Sequence, residues 1–300
     1  MKTNKSIITV ILLICVTTLS YSQDKKLTII HTNDMHSQVE PISKNIKGFK
    51  AGKGGFVRIC TCIHEEVEKD PENTLLLDAG DFSQGSVYYN LLHGRTEIAF
   101  MNTLHYDAGT LGNHEFDSGI DNLAELIKEA NFPFICCNYG LDNTPLKDLV
   151  KPYIIVERAG MKIGIFGLGP YELKNVTFEK NIKGVVFKDT FKCANETAHK
   201  LRNEEKCDLV ICLSHLGWNS NNTDGPNGIA VCDSTLAANS RDIDIIVGGH
   251  SHTPMKHGKK IPNLDGKTVY INQTGANTAT VGKMVFDIAK IRNAKIRKLR

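Results

Sequence analysis

Five short apolar runs in this chain each break off shortly before an aspartate, an asparagine or a histidine. That repetition limits what the chain can fold into more than any other feature. The run 27–30 leads to Asp34 and His36, 74–77 leads to Asp78 and Asp81, and a run closing at Leu111 leads to Asn113 and His114. Further on, 209–213 leads to His215, and 243–247 leads to His250 and His252. Four or five apolar residues make a buried strand, and segments of helical spacing lie between the runs, as in Phe56, Cys60, Ile63 and Val67 or Leu123, Ile127 and Ala130. Strands alternating with helices predict an α/β fold, whose ligands collect beyond the carboxyl ends of the strands. One histidine after a strand is usually a cap or a core residue. The same chemistry at five strand ends points to a single site.

Side-chain type then narrows the ligand. Imidazoles, carboxylates and one amide, without thiolate, suit zinc, manganese or iron and fit poorly with a structural cysteine site. Asp34, His36, Asp81, Asn113, His215, His250 and His252 are more candidates than the four ligands of one tetrahedral zinc. Two ions sharing a carboxylate would use all of them, and such pairs lie about 3.5–4 Å apart in hydrolases. Asp81, just past Gly80, is the natural bridge, while Asp78 is expected to serve the strand end. The stretch Gly112-Asn113-His114-Glu115-Phe116-Asp117 sets an amide, an imidazole and a carboxylate within five residues. His114 reads as a general acid oriented by Asp117, with Asn113 and His114 beside the substrate phosphate. Loss of such an acid costs on the order of 10²–10⁴ in rate. His31 reads as core, and His64, His93, His105, His199 and His257 have no partner spacing.

The blocks His31-Thr32-Asn33-Asp34-Met35-His36, Gly80-Asp81, Gly112 through Asp117, His215 and Val247-Gly248-Gly249-His250-Ser251-His252 resemble the motifs of the calcineurin-like metallophosphoesterases. In their fuller form they are similar to the secreted 5′-nucleotidase branch, with its UDP-sugar hydrolase and 2′,3′-cyclic-nucleotide phosphodiesterase relatives. The resemblance covers about residues 27–288. It implies a four-layer αββα sandwich of two mixed sheets flanked by helices, with a dimetal site at the carboxyl ends of the strands. It also implies that Asp34, His36, Asp81 and His252 hold one divalent ion, and that Asp81, Asn113, His215 and His250 hold the other, zinc or manganese being favoured. A hydroxide formed between the ions would attack phosphorus in line. Complete members of the branch continue into a second, nucleotide-recognising domain, and no counterpart of it is expected here. Three readings stand beside a lone 5′-nucleotidase: the catalytic half of a split nucleotidase with a separate partner polypeptide, a thiosulfate-ester hydrolase, and a non-catalytic binding protein.

Lys2 and Lys5, an apolar run 7–16 and small residues at Ser20 and Ser22 form a secretory leader cleaved after Ser22. That run is far below the roughly 20 residues a membrane span needs; Cys15 lacks the small preceding residue of a lipidation site. The expected mature chain, 23–300, is one catalytic domain, periplasmic or extracellular, without a transmembrane segment. With 36 Lys and Arg against 33 Asp and Glu, the chain gives no reason to expect nucleic acid as a partner. The basic tail from Lys290 to Arg300 reads as a solvated edge strand. Of the eight cysteines beyond Cys15, Cys60, Cys136, Cys137, Cys207, Cys212 and Cys232 sit in or beside apolar runs, and the set reads as buried thiols with room for one disulfide. Asn219 to Gly228 reads as an exposed loop near the site.

Overall fold

The structure, a computed structural model, describes residues 25–289 and 291 apart from 221–224, 226 and 227. The expected leader, the basic tail apart from Ile291, and most of the loop after Asn219 lie outside the described residues. The strands run β1 (Lys26–Thr32), β2 (Thr74–Asp78), β3 (Ala108–Thr110), β4 (Phe134–Ile135), β5 (Tyr139–Gly140), β6 (Val150–Lys151) and β7 (Tyr153–Arg158). They continue with β8 (Met161–Leu168), β9 (Val186–Phe187), β10 (Leu209–Ser214), β11 (Ile245–Gly248), β12 (Lys259–Pro262), β13 (Thr268–Asn272) and β14 (Gly282–Asp287). Between them lie helices α1 (Phe56–Val67), α2 (Val87–Leu92), α3 (Arg95–Leu104), α4 (Ile120–Glu129), α5 (Leu173–Val176), α6 (Thr190–His199) and α7 (Asp233–Ala238).

Two six-stranded sheets result, ordered β14-β1-β2-β3-β4-β6 and β12-β13-β11-β10-β8-β7, with β5 and β9 paired apart. The central strands are apolar on both faces because both faces are covered. In β1, Leu27 and Ile29 belong to a core that also holds Leu75, Leu77, Ile163, Ile165, Ile211, Leu213 and Val247 from both sheets. The alternate residue Ile30 packs outward with Ile59, Ile98, Met101 and Leu123 of the helices over the first sheet. On the far side of the second sheet, Phe166, Val210, Cys212 and Ile246 meet Ala194, Ala198 and Leu236. Helix, sheet, sheet, helix is the expected four-layer order.

The parallel pairs β1–β2–β3–β4 and β8–β10–β11 align carboxyl ends along one edge of each sheet. The β7–β8 hairpin turns through Ala159 (φ 54°) and Gly160 (φ 70°), the left-handed pair a two-residue turn requires. Two expectations are corrected. The stretch from Thr268 onwards, which by its alternation reads as antiparallel strands, is not wholly so: β13 pairs antiparallel with β12 but parallel with β11, because the chain crosses back before extending the second sheet. No disulfide forms among the described residues; all eight cysteines there are free. Cys136, Cys137, Cys207, Cys212 and Cys232 are buried as small apolar side chains, but Cys60 and Cys193 are half-buried and Cys62 is exposed on the same helix as Cys60. Burial pushes the Cys136 thiol up to about 12, which keeps it unreactive.

Candidate active site

All seven expected ligands meet at the shared edge of the two sheets. The first sheet brings Asp34 and His36 after β1, Asp81 after β2, and Asn113 with His114 after β3. The second brings His215 after β10, and His250 and His252 after β11. Five of these residues sit in left-handed backbone: Asp34 (φ 49°), His36 (φ 48°), Asp81 (φ 56°), His250 (φ 72°) and His252 (φ 51°). Strained conformations of this kind persist where surrounding bonds over-determine them, and they gather at functional sites. The bonds are visible here. Asp34 N–H donates to Gly80 O (2.9 Å) and His36 N–H to Asp81 O (3.1 Å), stitching the first two loops together. His250 N–H donates to Asp34 Oδ2 (2.9 Å), tying the second sheet to the first. Gly112 must be glycine because a Cβ there would collide with the Asp81 carboxylate.

The donor atoms face one another. His215 Nδ1 lies 2.6 Å from Ala79 O, so that nitrogen carries the proton. Its Nε2 is then a lone pair, wholly buried and without a hydrogen-bond partner, 3.0 Å from Asp81 Oδ2 and 3.8 Å from Asp34 Oδ1. His36 Nε2 and His252 Nε2 are 2.9 Å apart, and His252 Nε2 is 3.3 Å from Asp34 Oδ1. His250 Nδ1 is 3.0 Å from Asn113 Oδ1. Lone pairs and carboxylate oxygens converging in this way repel unless a positive charge lies among them. Two of the groups so formed, Asp34–His36–His252 and Asp81–His215–His250, each have their donor atoms within 4.8 Å of one another. The electrostatics agree. Burial alone would lower the His215 pKa, but the Asp81 and Asp34 charges facing Nε2 push it up to about 10, so a proton takes that place when no other cation does. His215 in turn draws the Asp81 carboxyl down against its own burial. The position calls for a cation, and the residues fit a divalent metal pair.

His114 also lies near His36 and Asp81, in a third group of such atoms. Its Nδ1 is 2.7 Å from Asp117 Oδ2, which leaves only Nε2 for other work. Burial works against its charged form, yet the Asp117 hydrogen bond and the Asp81 charge raise its pKa overall. Asp117 is held in turn by Asn181, whose side chain donates to the Asp117 carbonyl (2.9 Å). Asp78 is buried at the end of β2, accepting from Thr32 Oγ1 (2.6 Å) and Gly80 N–H (2.9 Å), as expected of a strand-end residue. His31 is a core side chain, fully buried with neither ring nitrogen bonded. His93 touches Ser118 Oγ (3.2 Å) from outside the cluster.

Two carboxylates at the site have no counterpart among the expected residues. Glu115 is buried and accepts from Asp81 N–H (3.0 Å), Phe82 N–H (3.0 Å) and Gly112 N–H (2.6 Å), clamping the Asp81 loop to the Asn113 loop. Its place inside the Gly112–Asp117 stretch was the available signal. Glu172, in the loop after β8, reaches His250 Nε2 at 3.4 Å, and that bond lowers its pKa. Its sequence neighbourhood carries no signal.

The fold and this edge cluster define a metallophosphoesterase, and the chain belongs to the calcineurin-like phosphoesterase family, whose pattern it matches over residues 27–254. Among its relatives, a 5′-nucleotidase of Bos taurus is 35% identical over 250 residues, which cover 79% of this chain and 40% of that protein. The solved 5′-nucleotidase precursor from Thermus thermophilus superposes with a TM-score of 0.75 at 30% identity, over 87% of this chain and 51% of that one. The calcineurin-like phosphoesterase YfkN from Bacillus subtilis gives a TM-score of 0.66 at 26% identity, covering 92% of this chain and 97% of that one. Against the first curated relatives the chain spans only 40–45% of their length. Divalent metals are therefore expected of this site by family as well as by geometry. Among the described residues no helix is long and apolar enough to cross a membrane.

Proposed function

We propose that this chain is the catalytic domain of a divalent-metal-dependent nucleotide phosphatase, cleaving a 5′-phosphate monoester. The observation that carries this reading is the buried, unbonded His215 Nε2 facing two carboxylates, with the His114–Asp117 pair at the rim of the same cluster. Asp34, His36, Asp81 and His252 would hold one ion, and Asp81, Asn113, His215 and His250 the other. The nitrogen and oxygen donors favour zinc or manganese. When bound, the pair supplies a water whose pKa is lowered to about 7 and positive charge for the phosphoryl oxygens.

The protein's own contribution is positional. Asn113 and His114 share one loop, so the phosphoryl group held beside Asn113 lies within reach of the His114 ring. Asp117 accepts from Nδ1 and so keeps Nε2 facing the substrate, where it delivers a proton to the departing alkoxide oxygen. An alkoxide is a poor leaving group, so this proton matters more for a nucleoside than for an artificial phenolic ester.

The nucleotide preference is supported by the relatives' names and by nothing within the described site that grips a base. A second reading therefore stands: a further domain, on a separate polypeptide or in a longer form of the chain, completes recognition. The 40–45% span of the curated relatives favours it. Export after cleavage of residues 1–22, with 23–300 as the catalytic domain, belongs to the same proposal. The test is hydrolysis of 5′-AMP, a 2′,3′-cyclic nucleotide, thiosulfate esters and an artificial phosphoester by chelated protein resupplied with zinc or manganese. Metal-restored cleavage of 5′-AMP is expected. Failure on every ester with two ions bound would overturn the stand-alone reading, and rescue by an added partner domain would establish the second.

A further inference from the structure

Each imidazole that is to act as a ligand must present a lone pair, and a neutral ring does so only if its single proton is held on the other nitrogen. For His215 a backbone carbonyl, Ala79 O, holds it. For His250 the groups are different. Nδ1 faces Asn113 Oδ1 at 3.0 Å, and Nε2 faces Glu172 Oε1 at 3.4 Å. An ionised carboxylate accepts and never donates. With Glu172 at Nε2, that nitrogen carries the proton, and Nδ1 turns a lone pair towards the Asn113 oxygen, a juxtaposition that an intervening cation relieves. Without Glu172 the ring relaxes to the other tautomer, in which Nδ1–H donates to Asn113 and both groups are withdrawn from metal binding.

We infer that Glu172 is a positioning residue: it selects the His250 tautomer and orientation that completes the Asp81–Asn113–His215–His250 half of the site. The inference rests on the dinuclear reading above. It assigns Glu172 no contact with substrate. Glu172 precedes the short helix α5, and its side chain is 40% exposed, so replacing it opens no hole in the core. Carboxylate partners of metal-bound histidines typically contribute about 10- to 100-fold to metal affinity.

The experiment is calorimetric titration of the metal-depleted full chain with zinc or manganese, for wild type, Glu172→Ala and Glu172→Gln. Wild type should bind two ions. Glu172→Ala should weaken one of them about 10- to 100-fold and leave the other unchanged. Glu172→Gln, whose amide oxygen still accepts from Nε2, should recover most of the loss. The melting temperature of the metal-free protein should not move in either variant. Two ions bound with wild-type affinity by Glu172→Ala, or equal weakening of both with a lowered melting temperature, would overturn the assignment. A single ion in wild type would instead overturn the dinuclear reading, and this inference with it.

Discussion

The two sheets contribute unlike chemistry to one site. The first supplies every carboxylate of the proposed ligand set, the amide of Asn113, and the His114–Asp117 pair; the second supplies imidazoles alone. They are also held differently. First-sheet ligands are locked by bonds within their own sheet, with Glu115 gathering three amides of two loops and Asp78 bracing Gly80. Second-sheet ligands also bond to the opposite sheet. His215 donates to Ala79 O, and the His250 amide donates to Asp34. Neither half can gather a full ligand set until the sheets pack, so metal binding should report on the interface between them.

The largest effect should come where the halves join. Asp81→Asn removes the only carboxylate proposed for both ions; hydrolysis should fall below detection and metal content below two per chain, measured by atomic emission. Retention of both ions would show that the halves do not meet at Asp81. Next, His114→Asn should slow release of an alkoxide by about 10²–10⁴ while both ions stay bound. An ion lost from that variant would make His114 a ligand, as its nearness to His36 and Asp81 allows. A smaller effect should follow from loosening the packing between the sheets. Ile211→Ala, in the apolar layer they share, should cost about 2–5 kcal/mol and weaken both ions together, read by thermal melts with and without metal. An unchanged metal affinity would uncouple the site from the interface.

The smallest expected effect lies far from the site. Lys283 of β14, and then Lys69, hydrogen-bond Glu66 of α1 and hold its carboxyl at about 2, below its ordinary 4.5. A folded-state value below the unfolded one stabilises at pH above about 4.5, and that gain is lost as pH falls towards about 2. Lys283→Ala should therefore flatten the acid limb of the melting profile slightly and leave metal content alone.

The seven ligand candidates could be read from the sequence because each follows a strand, and parallel strands deliver their ends to one edge whatever the loops do. His114 and Asp117 could be read because both lie in one short stretch, three residues apart. Contacts that close through space left no such trace. Glu172 is 78 residues from His250, Asn181 is 64 from Asp117, and nothing local distinguishes either from a surface residue. The same reason explains the tail, where β13 has the alternation of an edge hairpin yet pairs in parallel with β11. Cysteine spacing was equally mute, since a thiol serving as a small apolar side chain looks like half a disulfide until its neighbours are known.

The central claim is that one edge, built from both sheets, holds two ions. Anomalous diffraction from crystals of the protein loaded with manganese tests it most directly. Two peaks about 3.5–4 Å apart are predicted, with Asp81 between them, Asp34, His36 and His252 around one, and Asn113, His215 and His250 around the other. A single peak, or peaks bound by residues of only one sheet, would contradict it.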